Sequence, residues 1–161
     1  MLPDSTLTDA ESLLAACRAK KIMLATAESC TGGLIAAALT AIAGSSDVVD
    51  RGFVTYSNEA KNEAIGVPME LINTHGAVSQ PVAAAMAEGA LARSQAAIAV
   101  AVTGVAGPGG GSAEKPVGLV WFGLARTGSP AVTDHRIFPG GRADIRAATV
   151  VHALKMIRDA L

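Results

Sequence analysis

The sequence has few aromatic residues, few cysteines and almost no excess of charge. Phe, Trp and Tyr make up 3% of the 161 residues, and 13 basic residues nearly balance 14 acidic ones, giving a net charge of −1. Binding to nucleic acid needs a basic surface for the phosphates, and single strands also need aromatic side chains on which bases stack. The composition therefore argues against a nucleic-acid partner, and the lack of a polybasic run argues against a membrane-surface partner.

The two cysteines, Cys17 and Cys30, are too few for a disulfide framework in a chain of this length. Unpaired cysteines are typical of a reducing compartment. The amino-terminal segment is acidic and polar, and no apolar run approaches the length of a membrane span. We therefore expect a cytoplasmic protein. No group of His, Cys, Asp or Glu has the spacing of metal ligands, so we expect neither a metal nor a cofactor.

Half of the residues are hydrophobic, and their periodicity predicts alternating helices and strands followed by a hairpin. This order favours an α/β fold, a three-layer α/β/α sandwich with a mixed, mostly parallel sheet, in one domain over residues 1–161. The predicted helices are Thr8–Ala19, Gly33–Ile42, Glu59–Ile65, a further helical turn at Pro68–Asn73, an Ala-rich helix after Ser79, and Arg142–Leu161. The predicted strands are Ile22–Ala25, Val48–Tyr56, Ala96–Val102, Val117–Ala125 and Val132–Phe138.

Local signals place some of the helix ends and faces. Thr8 and Glu11 fit a capping box, Gly66 fits a helix C-cap, and Ser79 fits the cap of the Ala-rich helix. The last helix is expected to turn one apolar face inward, formed by Ile145, Ala148, Val151, Leu154 and Ile157.

The loop Ala27–Gly33, with the sequence AESCTGG, lies between a predicted strand and a predicted helix, where α/β proteins gather ligands. Ser29 has two possible roles there. It can cap the helix, which is the more common role by spacing alone, or it can act as a nucleophile beside free backbone N–H groups. Cys30 competes for the second role because a thiol at a helix N-terminus has a lowered pKa, although it can also be a small buried apolar residue.

A nucleophilic serine needs a base, and none of His75, His135 and His152 belongs to a recognisable triad motif. A Ser–Lys pair is the known alternative. Lys61 follows a strand end in the segment VTYSNEAK, and a partly buried lysine there would lose its proton more easily. The other reading is an ordinary solvated lysine on a helix.

A second loop, TGVAGPGGGSAEKP, also follows a strand end. Its glycines allow the backbone to approach a ligand closely. It lacks both the P-loop signature and the spacing of a dinucleotide fingerprint, so alone it is a weak signal.

Together these loops, with GAVS and GGRADIRAAT in the same order, resemble the C-terminal domain of the CinA family over residues 8–160. The resemblance implies the α/β/α fold and an enzyme without metal. Its stand-alone members deamidate nicotinamide mononucleotide to nicotinate mononucleotide and ammonia, which recycles pyridine nucleotides.

The resemblance also implies the site residues. Ser29 corresponds to the reactive serine, Lys61 to its lysine, and Tyr56 to a tyrosine that relays a proton or orients the lysine. The loop at Gly104–Gly111 is expected to wrap the ribose phosphate, with Arg142 or Lys115 as charge partner. The full set expected to bind the substrate or its oxyanion is Glu28, Cys30, Thr31, Gly32, Gly33, Thr103, Gly104, Gly107 and Arg142.

Two alternatives stay open at this point. Glu28, Lys61 and Cys30 are the residue types of a Glu-Lys-Cys amidase. The chain could instead be a non-catalytic nucleotide-binding or regulatory domain linked to competence or DNA damage. In either case the Ala-rich helices lead us to expect self-association into a homo-oligomer.

Overall fold

The computed structural model describes residues 2–161 as a five-stranded sheet between two layers of helices. The sheet order is β2-β1-β3-β4-β5. The strands are β1 (Leu24–Glu28), β2 (Val49–Val54), β3 (Ile98–Gly104), β4 (Leu119–Arg126) and β5 (Val132–Ile137). The helices are α1 (Asp4–Ala19), α2 (Leu34–Thr40), α3 (Asn58–Ile65), α4 (Met69–His75), α5 (Gln80–Ala92) and α6 (Arg142–Asp159), with a 3₁₀ turn at Ser45–Asp47.

β1 pairs in parallel with β2 and β3, whereas β4 is antiparallel to both β3 and β5. Four of the five strands therefore run in one direction, and the predicted mixed, mostly parallel sandwich is confirmed. The predicted hairpin of the last two strands is confirmed as well. No helix within residues 2–161 combines the length and the apolar character needed to cross a membrane.

The two faces of the sheet carry side chains of different size. In β3, Ile98, Val100 and Val102 face α1, α2 and α6, whereas Ala99 and Ala101 face the layer of α3, α4 and α5. The alanine face lets α5 approach closely, and a Cβ added at Gly123 of β4 would overlap the backbone of α5. The small residues of the composition are therefore used on one side of the sheet, where backbones pack against each other.

β1 occupies Leu24–Glu28 rather than the predicted Ile22–Ala25. All five residues are buried because β1 lies between two neighbouring strands. Thr26 and Glu28 are polar residues in this interior strand. Because apolar runs are used to predict buried strands, the prediction ends before them. Ser29 consequently lies immediately beyond the carboxyl end of the strand.

One predicted helix cap is wrong, and another is confirmed in its position but not in its side-chain contact. α1 begins at Asp4, so Thr8 lies inside the helix, where its hydroxyl donates to the carbonyl of Asp4 at 3.0 Å. Ser79 does occupy the N-cap position of α5, but its hydroxyl donates to the carbonyl of Gly76 at 2.7 Å instead of capping a helix N–H. The predicted C-cap at Gly66 is confirmed, with φ of 70°.

The buried face of α6 differs from the predicted one. Ile145, Leu154 and Ile157 are buried as expected, but Val151 is 43% exposed and Val150 is buried in its place. A strict spacing of three residues drifts around a helix that has about 3.6 residues per turn, so it cannot follow one face over five positions. The true face alternates steps of three and four residues.

This corrected register gives a test with two neighbouring valines. Val150→Ala is expected to lower the free energy of unfolding by about 2 kcal/mol, because it removes buried methyl groups and leaves a cavity. Val151→Ala, the matched control, is expected to change it by less than about 0.5 kcal/mol. Urea unfolding curves measure both values, and equal losses in the two variants would contradict this orientation of α6.

Candidate active site

The carboxyl ends of β1, β2 and β3 lie at one edge of the sheet because these strands are parallel neighbours. A cavity of about 320 Å³ opens at this edge. Eight of the expected site residues line it, namely Ser29, Cys30, Tyr56, Lys61, Thr103, Gly104, Gly107 and Arg142. Ligand sites are expected at this place in open α/β sheets, and the volume lies within the usual range of about 300–1,000 Å³.

Ser29 and Lys61 meet in this cavity, although they are distant in the chain. The Nζ atom of Lys61 lies 3.1 Å from the Oγ atom of Ser29. Lys61 lies in the first turn of α3, and its amine contacts the backbone that follows the end of β2. The residue is only 1% exposed. The solvated-lysine reading is therefore wrong for this residue.

The amine of Lys61 is held by the backbone of its own segment. It donates to the carbonyl oxygens of Thr55 at 2.9 Å and Tyr56 at 3.3 Å, with Ser57 at 3.5 Å. Burial lowers the pKa of Lys61 below its usual value of 10.5, because an ammonium loses its hydration there. The carbonyls offset part of this cost by accepting from the ammonium, so both protonation states have partners at this position.

Glu28, rather than Ser29, caps α2. Its fully buried carboxylate accepts from the backbone N–H groups of Ile35 at 2.8 Å and Ala36 at 3.0 Å, and from the Thr31 hydroxyl at 2.6 Å. Both oxygens of Glu28 serve the helix N-terminus and the residue is not among those that line the cavity, so the structure gives its expected contact with substrate no support. Ser29 is relieved of the capping role, and its hydroxyl remains available to Lys61.

The cavity is also not lined by the next three residues of the loop, Thr31, Gly32 and Gly33. The N–H of Gly32 donates to the carbonyl of Ser29 at 3.0 Å, so it is not free to bind an oxyanion. Gly33 is the N-cap residue of α2 with φ of 104°, and Thr31 is fully buried. These three residues form the turn after the serine, and their expected contact with substrate or oxyanion stays a prediction.

The environment of Cys30 opposes its use as a nucleophile. Burial raises the pKa of the Cys30 thiol to about 11, mainly because the thiolate would lose its hydration. The expectation of a lowered pKa at a helix N-terminus is wrong, since α2 begins at Leu34 and its first amides are bound by Glu28. The buried-apolar reading of Cys30 fits the structure.

Tyr56 and Arg142 form the rim of the cavity. The phenol of Tyr56 is in hydrogen-bond contact with the Arg142 guanidinium at 3.2 Å, and Arg142 also donates to the carbonyl of Gly107 at 2.8 Å. Tyr56 contacts Lys61 through its backbone carbonyl. Of the two residues expected as charge partners, Arg142 lines the cavity, whereas Lys115 donates to the carbonyl of His75 and lies outside it.

Sequence reasoning did not single out Asn58, Ala77 and Val78, which also line the cavity. The remaining lining residues, Val105, Ala106, Gly109 and Gly110, belong to the loop Gly104–Gly111 that was expected near the substrate. Asn58 stands three positions before Lys61 in the segment VTYSNEAK, so helical spacing could have placed both on one face. Ala77 and Val78 lie in GAVS, which carried no chemical signal because their contribution is apolar contact.

A larger cavity of about 430 Å³ lies between β5 and α6, lined by residues that include Leu124, Val132 and Met156. Size does not decide between the two, because the contact between the Ser29 hydroxyl and the buried Lys61 amine is found in the smaller one. Residues 2–161 contain no group of three or more His, Cys, Asp or Glu side chains that could hold a metal ion.

The fold and this cavity define an α/β protein with a serine–lysine pair at the carboxyl edge of its parallel strands. The CinA C-terminal domain model matches residues 7–161. The chain belongs to the CinA C-terminal domain family, which confirms the resemblance carried by its motifs.

Relatives of two lengths are similar to this chain. A putative competence-damage inducible protein of Symbiobacterium thermophilum is 55% identical over 143 residues, which are 84% of this chain and 34% of that protein. The chain thus spans about a third of the length of such relatives. The nicotinamide-nucleotide amidohydrolase PncC of Escherichia coli is 47% identical over 157 residues, which are 97% of this chain and 95% of that protein.

Solved structures show the same fold. The competence/damage inducible protein CihA of Agrobacterium tumefaciens superposes with a TM-score of 0.95 at 52% identity, covering 99% of this chain and 97% of that one. A CinA superfamily protein of Escherichia coli gives a TM-score of 0.93 at 35% identity, covering 100% and 94%.

The capping role of Glu28 gives a stability test. Glu28→Gln is expected to lower the free energy of unfolding by about 2 kcal/mol. The side chain of Gln has an NH₂ group in place of one carboxylate oxygen, so a buried N–H or O–H group would lose its acceptor. Glu59→Gln, on the exposed side of α3, is the matched control and should change it by less than about 0.5 kcal/mol. The measurement is urea unfolding, and a Glu28→Gln variant as stable as the control would contradict the cap.

Proposed function

We propose that this protein hydrolyses the carboxamide of nicotinamide mononucleotide to nicotinate mononucleotide and ammonia. Ser29 is the nucleophile, Lys61 is its general base, and residues 1–161 act as one amidohydrolase domain. The observation that carries the proposal is the 3.1 Å contact between the Lys61 amine and the Ser29 hydroxyl in a cavity that can admit a small molecule. Similarity to PncC over nearly the whole of both chains supports the choice of substrate.

The backbone around Lys61 suits a neutral amine at the moment of attack. A neutral amine has two hydrogens and one lone pair. The carbonyls of Thr55 and Tyr56 accept the two hydrogens, which leaves the lone pair for the proton of the Ser29 hydroxyl. Once protonated, the ammonium finds acceptors in the same carbonyls and the serine oxygen, so proton transfer requires no movement of the lysine.

The reaction then follows two steps. The Ser29 oxygen attacks the carboxamide carbon as its proton passes to Lys61, and the C–N bond breaks when Lys61 returns that proton to the leaving nitrogen. Water attacks the resulting ester, again losing a proton to Lys61, and the acid leaves as Ser29 recovers its hydrogen. The amide of Cys30, next to the nucleophile in the cavity wall, is the candidate donor to the oxyanion.

The part of the cavity at Arg142 suits an anion. Arg142 carries the positive charge there and stands at the first turn of α6, whose N-terminus also favours negative charge. Thr103, Gly104 and Gly107 line the same cavity. We place the substrate phosphate at Arg142 and the pyridine ring toward Ser29. The cytoplasmic location, the role in pyridine nucleotide recycling and the self-association stay predictions.

The nucleophile is tested with two adjacent residues. Ser29→Ala is expected to abolish ammonia release from nicotinamide mononucleotide, whereas Cys30→Ala should retain activity within about tenfold of the wild-type value, because the buried thiol takes no part in bond making. Coupled ammonia assays measure the rates, and circular dichroism checks that both variants fold. An active Ser29→Ala variant with an inactive Cys30→Ala variant would instead establish the Glu-Lys-Cys alternative.

The base is tested through the pH dependence of kcat/KM. Lys61 accepts a proton only when neutral, so the rate should rise with pH through its pKa, and the inflection should lie below 10.5 because burial lowers that pKa. Lys61→Arg should be inactive throughout, since its guanidinium stays charged. Lys115→Ala, which removes an amine outside the cavity, should keep the wild-type profile. A wild-type rate that is flat across the neutral and alkaline range would exclude Lys61 as the base.

A further inference from the structure

The turn that follows Ser29 is held by a side chain from a distant helix. Arg146 of α6 donates through Nε to the carbonyl of Cys30 at 3.2 Å and through Nη2 to the carbonyl of Thr31 at 3.0 Å. Lys61, by contrast, is held by its own segment. The position of the serine relative to the lysine therefore depends in part on α6.

One guanidinium fixes two successive peptide planes in this turn. Each peptide is planar, so holding its carbonyl oxygen also sets the direction of its N–H. The fork of an Arg side chain suits two acceptors at once, which a single ammonium cannot match. The turn has neither helix nor strand pairing between Ser29 and Leu34, and Gly32 adopts a φ of +60° within it. Without Arg146, the Thr31 contact to Glu28 would be the remaining side-chain tether of these residues among residues 2–161.

The same helix contacts the other end of the cavity. Arg142 lies one turn before Arg146 on α6 and carries the cation that faces the cavity. Residues four apart are neighbours on a helix surface. The first two turns of α6 therefore contact both the anion end of the cavity and the turn that carries the nucleophile.

We propose that Arg146 is a positioning residue that fixes the Ser29 turn relative to Arg142. It thereby sets the distance between the nucleophile and the anionic end of a nucleotide substrate. This inference rests on the proposed function, in which the phosphate binds at Arg142 and the carboxamide reaches Ser29.

The experiment compares Arg146→Met, Arg146→Lys and the control Arg158→Met. Arg158 also lies on α6 and donates to the carbonyl of Asp9 at 3.0 Å, but it is far from the cavity. Arg146→Met is expected to lower kcat for nicotinamide mononucleotide about 100-fold, because a small displacement of the nucleophile is costly. The kcat of Arg146→Lys should lie between those of Arg146→Met and the wild type, and the control should keep the wild-type kcat. The Kd of nicotinate mononucleotide should change less than about twofold in all three.

A second substrate separates positioning from general damage. Nicotinamide riboside lacks the phosphate, so it can shift to follow a displaced serine, whereas the mononucleotide is held at Arg142. The ratio of kcat for the mononucleotide to kcat for the riboside should therefore fall in Arg146→Met and stay constant in Arg158→Met. An unchanged ratio, or a wild-type kcat in Arg146→Met, would overturn the proposal.

Failure of the proposed function would be recognised separately, as a wild-type protein that releases no ammonia from either compound. In that case, labelling of Ser29 by phenylmethanesulfonyl fluoride, followed by intact mass, decides the question. Slower labelling of Arg146→Met than of Arg158→Met would support the positioning role of Arg146. Equal rates, or no labelling of the wild type, would overturn it.

Discussion

The contact between the amine of Lys61 and the hydroxyl of Ser29 is the interaction on which the site depends. A buried lysine is costly because its charged form loses water. Here the loss is offset by carbonyl oxygens of the residues that join β2 to α3, which meet the amine where the strand ends. The sheet supplies the rest, since parallel pairing of β1 with β2 brings the serine to the same edge.

Glu28 shows how that serine is kept free. A helix N-terminus has N–H groups without partners, and a serine just before a helix usually satisfies one of them. Glu28 takes this role from the end of β1 and satisfies two amides and one hydroxyl with a single carboxylate. The residue that caps α2 and the proposed nucleophile are thus adjacent in the chain, and the carboxylate of the first leaves the hydroxyl of the second uncommitted to the helix.

The helices and strands were largely predictable because their signals are local. The buried runs of β3 and β4 and the turn between β4 and β5 depend on residues close in the chain. The errors have two sources, which are a distant strand pairing that overrides a local pattern and a helix spacing taken as strictly three residues. Thr26 and Glu28 are polar yet belong to a central strand, and Val151 fits a spacing of three that the geometry of α6 does not follow.

The sequence by itself determined the layer order, the alternation of large and small strand residues, and the family, whose motifs singled out Ser29 and Lys61. Only the tertiary structure decided which oxygen caps α2, why burial raises the pKa of the Cys30 thiol, and which of Arg142 and Lys115 lines the cavity. Those outcomes depend on distances between elements far apart in the chain, and on the water that each group loses there. Neither the distances nor the lost hydration can be predicted from the spacing of residues along one strand or one helix.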